Sequence, residues 1–267
     1  MKLSRKQAGA IAALIVAVIT GTLAQTGGGV STSSDATKPE RSNGKRVAYE
    51  DRSVRDRGAS SRREKNIAGE FDYYSMVLSW SPTYCATSDR KKPDQQCEGR
   101  GNRDYAFVLH GLWPQYERGY PDTCWTKQRP FVPRRTINQM LDIMPSPGLV
   151  IHEYKKHGTC SGLSPESYYQ LSRVLYKKIK IPSRYVRPVK QQMVGVDQLK
   201  QEFVDANPGL RTSMMAVSCR GSGNRLRELR FCFSREGKFR ACGRNESQKR
   251  MCNAKRMFVP PVRTAAQ

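Results

Sequence analysis

Along the first 70 residues the apolar positions gather in one run, residues 8–20, and then thin out without a period. From Phe71 the texture changes. The stretch Phe71-Asp72-Tyr73-Tyr74-Ser75-Met76-Val77-Leu78-Ser79-Trp80 is aromatic and β-branched enough to form a buried strand, which Ser81-Pro82 stops. A polar loop is expected between Cys85 and Cys97, then a second strand over residues 105–109 that delivers His110 at its end. Helical spacing returns in residues 136–144, where Ile137, Met140, Leu141 and Met144 recur on one side. A short helix is expected across residues 151–157. Ser164-Pro165-Glu166 caps another that reaches residue 179, with Leu171, Val174, Leu175 and Ile179 as its apolar stripe. Residues 195–206 give one more helix, ended by Asn207-Pro208-Gly209. Strands are expected over residues 211–219 and 226–233, and Arg235-Glu236-Gly237 turns the chain into residues 238–242.

This patterning divides the 267 residues into unequal parts. Lys2, Arg5 and Lys6 precede the apolar run, and Thr22-Leu23-Ala24 supplies small residues where a signal peptidase cuts, so residues 1–24 read as an export signal. The run is short for a membrane anchor, and membrane contact is expected only if it stays uncleaved. Residues 25–69 hold too little apolar surface to offset the entropy of ordering and read as a basic linker. One domain then spans residues 70–260, leaving a tail over residues 261–267. The formal charge of +24 attracts polyanions, either nucleic acid or an anionic membrane surface, without implying any chemistry. All eight cysteines lie between Cys85 and Cys252, and an even number behind an export signal points to four disulfides and a periplasmic or secreted protein. Cys232 and Cys242 flank the Gly237 turn symmetrically, and Cys85 with Cys97 closes the polar loop. Asn245-Glu246-Ser247 is a glycosylation sequon in a eukaryotic host.

Candidate chemistry concentrates in residues 151–160, Ile-His-Glu-Tyr-Lys-Lys-His-Gly-Thr-Cys, which carry two of the three histidines. On a helix Glu153 and His157 stand one turn apart with Lys156 beside them, while His152 reaches the same pocket from its edge. A solvated helix face is the bland alternative. The two histidines are five residues apart, whereas a zinc-protease helix needs them four apart on one face, so acid/base chemistry fits better than metal ligation. His110, with Gly111 beside it, suits a catalytic group held on a rigid strand, and equally a histidine bonded to backbone in a turn. Trp113 reads as core or as a face on which a base stacks.

His110-Gly111-Leu112-Trp113-Pro114 and the segment His152 to Cys160, in that order and about forty residues apart, resemble the two active-site segments of the ribonuclease T2 family, on its bacterial periplasmic side. The resemblance covers about residues 71–259. It implies an α+β fold with a central antiparallel sheet and flanking helices, stabilised by disulfides. It also implies an RNA substrate, cleavage through a 2′,3′-cyclic phosphate with little base preference, and neither metal nor cofactor. The catalytic residues would be His110, Glu153 and His157, and the phosphate-side residues His152 and Lys156. The bridge joining the two segments would correspond to Cys124 with Cys160, leaving Cys219 with Cys252. In the first step His157 is the expected base and His110 the acid, with Lys156 beside the phosphorane; Glu153 could orient His157 or donate to a phosphate oxygen. Tyr154 stands where the family often has Trp, and Gln115 where many members place Asp or Asn to read a base. Trp113 and Tyr120 remain candidate stacking surfaces. A monomer without an obligate protein partner is expected. The alternative is a cationic RNA- or surface-binding protein whose catalytic set is vestigial.

Overall fold

A computed structural model of the chain describes residues 66–88, 95–97 and 105–262. The export signal and residues 25–65 of the linker fall outside the described residues, as do residues 263–267. The strands are β1 (Tyr73–Trp80), β2 (Phe107–Gln115), β3 (Gln192–Val194), β4 (Met215–Arg220), β5 (Arg225–Phe233) and β6 (Met257–Val259). The helices are α1 (Ser81–Thr87), α2 (Arg134–Met140), α3 (Pro147–Lys156), α4 (Pro165–Lys178), α5 (Val196–Ala206) and α6 (Gln248–Met251). The sheet runs β2-β1-β5-β6-β3, with β4 also paired to β5. Its pairings are antiparallel apart from a parallel contact of β5 with β6 at Arg225 and Phe258.

The two faces of β1 decide what the sheet supports. Met76, Leu78 and Trp80 pack into the apolar core, where Trp80 meets Phe107 edge-on at 4.7 Å and Phe107 meets Phe203 at 6.1 Å. Ser75 and Ser79 alternate with them and point the other way. In register beside these serines lie Trp113 on β2, and Cys232 and Glu228 on β5. One face of the sheet is therefore hydrophobic core, and the other carries polar groups on a rigid floor.

Several elements differ from the sequence reading, each for a local reason. Strand β2 does not end before His110 but continues through Gly111 and Pro114 to Gln115. Pro114 is tolerated because β2 is an outer strand, where no ladder hydrogen bond is lost. Its free edge is covered: the Leu109 N–H donates to the Ile143 carbonyl at 2.8 Å, and the Tyr168 hydroxyl donates to the Leu112 carbonyl at 2.7 Å. Ser81-Pro82 ends β1 by starting helix α1, since proline fits a first helical turn as well as it stops a strand. On α4, Val174 is exposed, and Tyr168, Tyr169 and Leu175 form the buried stripe. Residues 66–69, read as linker, dock on the domain: the Asp122 N–H donates to Asn66 at 3.1 Å and the Gly69 N–H to the Cys160 carbonyl at 2.9 Å. Residues 261–262, read as tail, are likewise held, with Val262 buried and its N–H bonded to the Pro188 carbonyl at 2.8 Å. All four disulfides have the expected partners, Cys85–Cys97, Cys124–Cys160, Cys219–Cys252 and Cys232–Cys242.

Candidate active site

His110 owes its position to an irregularity in the ladder. Val77 pairs with Gly111 and Leu78 with Leu109, so His110 is the extra residue of a β-bulge, a feature that re-aims a side chain while the strand stays paired on both sides. Its ring lies between two carboxylates. Nδ1 is 3.3 Å from Glu228 Oε1 and 3.3 Å from Ser79 Oγ, and Nε2 is 3.6 Å from Glu153 Oε1. Gly111 is required by close packing: a Cβ there would sit 2.0 Å from Glu153 Oε2 and 2.5 Å from Trp113 Nε1.

The second segment is the C-terminal half of α3. Ser146 caps its start by accepting from the Leu149 N–H, Pro147 follows at the first turn, and Lys155 and Lys156 sit in the last turn, where cations suit the helix dipole. His157 occupies the C-cap, its N–H bonded to the Glu153 carbonyl at 2.9 Å. Two ties hold this end: the Thr123 N–H donates to the Lys156 carbonyl at 2.8 Å, and Cys124 is bridged to Cys160. Gly158 lets the backbone approach Tyr154, whose ring a Cβ would meet at 2.3 Å. Tyr154 is packing, buried beside Tyr168 and donating its hydroxyl proton to the Leu163 carbonyl.

The two segments meet on the indole of Trp113. His157 stacks on it at 4.9 Å with planes 25° apart, His110 meets it edge-on at 5.3 Å, and its N–H donates to Glu153 Oε2 at 2.7 Å. The Arg230 guanidinium lies 4.8 Å from the same ring. These residues line a cavity of about 520 Å³. Lys156, Arg230 and Arg250 make its wall cationic, and His152, Gln115, Tyr120 and Asn245 complete it.

Surroundings set the two imidazoles apart. At His110 burial works against protonation, but the hydrogen bond to Glu228 and the charges of Glu153 and Glu228 outweigh it, so its pKa is raised. At His157, 5 % exposed, burial comes first and the positive fields of Lys156, His110, His152 and Arg230 add to it, holding the pKa down to about 3. Its Nδ1 is buried without a hydrogen-bond partner, so a charged ring would bury an unpaired N–H. Glu153 is pushed up by burial, against the opposing effects of His110, the Trp113 N–H and Lys156.

The residues singled out in the sequence thus come together, with differences in detail. Glu153 was placed on the helix face of His157, but its carboxylate turns across to β2 and serves Trp113 and His110. Trp113 is only partly exposed and already engaged by His157, Arg230 and Glu153, whereas Tyr120 is 55 % exposed. Gln115 is buried, donating to the Pro114 carbonyl and accepting from Asn245. Asn245 is no free sequon: its amide also donates to the Tyr116 and Gly119 carbonyls and its oxygen accepts the Gly119 N–H. Glu228 and Arg230 escaped notice because Arg225-Leu226-Arg227-Glu228-Leu229-Arg230 alternates like a strand with one solvated face. The available signal was Phe231-Cys232-Phe233, which continues the same strand as core.

The Ribonuclease T2 family matches residues 71–242 of the chain. A ribonuclease of Aeromonas hydrophila is 38 % identical over 199 residues, covering 72 % of this chain and 85 % of that protein. A probable ribonuclease of Haemophilus influenzae is 29 % identical over 188 residues, covering 67 % of this chain and 63 % of that protein. Among solved structures, trichomaglin, an S-like ribonuclease, superposes with a TM-score of 0.58 at 21 % identity over 73 % of this chain and all of its own. RNase NT in complex with 5′-AMP gives 0.51 at 21 % identity, covering 72 % of this chain and 99 % of its own. The chain belongs to the ribonuclease T2 family and is a ribonuclease with its α+β fold.

Proposed function

We propose that the chain is an exported endoribonuclease that cleaves single-stranded RNA by transphosphorylation, needing no metal ion and leaving a 2′,3′-cyclic phosphate. The observation that carries this reading is that two imidazoles face one cavity with Lys156 and Arg230, His110 between two carboxylates and His157 without one. Such cleavage needs a group that takes the ribose 2′-hydroxyl proton and another that gives a proton to the leaving 5′-oxygen. His157, neutral at pH 7, is the base, and His110, held toward its charged form, is the acid. Water then opens the cyclic phosphate with the two roles exchanged. Lys156 and His152 bind the phosphate, and Lys156 stabilises the charge that develops on it. Glu153 keeps His110 protonated and anchors Trp113, which supports the ring of His157. Tyr120 is the exposed surface on which a base can stack. The low base preference rests on the family resemblance, with Gln115 held by Asn245. Export is supported by four disulfides, which persist in oxidising compartments.

The test is a defined RNA incubated with purified protein and excess chelator. Cleavage should persist, the new 3′ ends should be cyclic phosphates at first and 3′-phosphates later, and DNA of the same sequence should stay intact for want of a 2′-hydroxyl. Activity lost to chelator and restored by a divalent ion, or fragments ending in a free 3′-hydroxyl, would overturn the reading.

A further inference from the structure

Glu228 lies outside both active-site segments, yet it is buried at 6 % exposure in the middle of β5, a place where an ionised carboxylate persists only with partners. Its partners are His110 and Arg230. Oε1 lies 3.3 Å from His110 Nδ1, and Oε2 lies 3.5 Å from Arg230, whose guanidinium is also 3.6 Å from Glu246. Arg230 is thus braced from two sides and holds one Glu228 oxygen, leaving the other aimed at the imidazole.

We propose that Glu228 is the positioning carboxylate of His110, accepting its Nδ1–H so that the ring presents Nε2–H to the leaving 5′-oxygen. The inference rests on the reading of His110 as the acid. The groups facing His110 are Ser79 from β1, Glu228 and Arg230 from β5, Glu153 and His157 from the α3 segment, and Trp113 from its own strand. Of these, Glu228 and Ser79 reach Nδ1, and only Glu228 is charged. As the bond from phosphorus to the 5′-oxygen breaks, its electron pair takes the proton from Nε2. The ring keeps Nδ1–H on Glu228, which stays ionised throughout, and in the second step water returns a proton to Nε2. Glu228 is suited to stay ionised: burial opposes this, but the hydrogen bond and charge of His110 and the charges of Arg230 and Arg227 prevail and lower its pKa.

A merely structural Glu228 would brace Arg230 and affect all substrates alike, so the test varies the leaving group. The full chain is assayed on a dinucleotide, whose alkoxide needs a proton to leave, and on uridine 3′-(4-nitrophenyl phosphate), whose phenolate does not. Glu228→Gln keeps shape and an acceptor but removes the charge. It should lower kcat on the dinucleotide by about 10- to 100-fold with KM little changed, as for other partners that orient an imidazole. The nitrophenyl ester should be cleaved at nearly the native rate. The basic limb of the dinucleotide pH profile should also move to lower pH. His110→Ala should show the same split more strongly. Equal losses on both substrates for Glu228→Gln, with the split retained in His110→Ala, overturn the proposal alone. No split in His110→Ala overturns the acid assignment and the proposal with it. Should Glu228→Gln not fold, the ring nitrogens of native His110, followed by NMR above its pKa, decide: the Nδ1–H tautomer is required, and the Nε2–H tautomer overturns the proposal.

Discussion

His110 and His157 are the same side chain in two kinds of surroundings. His110 sits on a bulge in a sheet strand with a carboxylate at each ring nitrogen and a side chain 29 % exposed. His157 sits on a helix end, 5 % exposed, amid lysine, arginine and two other histidines. Strand register delivers anions to the first, because Glu228 lies opposite Ser79 and Glu153 reaches over from α3. The end of α3 delivers a cation to the second, because Lys156 falls in its last turn beside His157. A proton donor and a proton acceptor thus arise from one residue type through neighbours that the fold places.

The comparison can be broken at either histidine. His110→Ala or His157→Ala should each lower kcat on a dinucleotide by about 10²- to 10⁴-fold, with the circular dichroism of the fold unchanged. Gly111→Ala attacks the geometry between them, driving a Cβ into Glu153 and Trp113. It should cost about 1–3 kcal/mol in urea unfolding, as overpacking does, and depress activity on every substrate. Glu153→Gln retains an acceptor for the Trp113 N–H but removes a charge from His110, so the basic limb of the rate profile should shift to lower pH. Lys156→Met acts on the other side: without its positive field the His157 pKa rises and the acid limb moves to higher pH, while KM increases for loss of a phosphate contact. Stability should depend on pH as well. His157 has a folded pKa depressed below its ordinary 6.5, so its neutral form contributes stability above pH 6.5 that is lost as pH falls toward about 3. Over that window the native Tm should fall more steeply than that of His157→Gln.

Much of this site was legible in the sequence, and the remainder was hidden for physical reasons. Residues 151–160 announced a helix carrying an acid, a cation and an imidazole, and helical geometry placed Lys156 and His157 on the cavity. The same geometry misdirected Glu153, because a period relates residues along one element, whereas the carboxylate answers an indole N–H forty residues away. Gly111 and Pro114 resembled the end of a strand; only the strand's outer position, a property of the whole sheet, lets it run through them. Glu228 looked solvated because its own alternation with Leu226 and Leu229 does not show that β5 lies between β1 and β4; the mark was three residues on, in the core run Phe231-Cys232-Phe233. The disulfides were easier, since hairpin symmetry suggested Cys232 with Cys242, and the family resemblance implied Cys124 with Cys160.

The most direct measurement is a pH titration of the three histidine rings by NMR in the uncomplexed protein. The account predicts that His110 stays protonated above the ordinary histidine value, about 6.5, and that His157 stays neutral well below it. Coincident titration of the two rings near that value would contradict it.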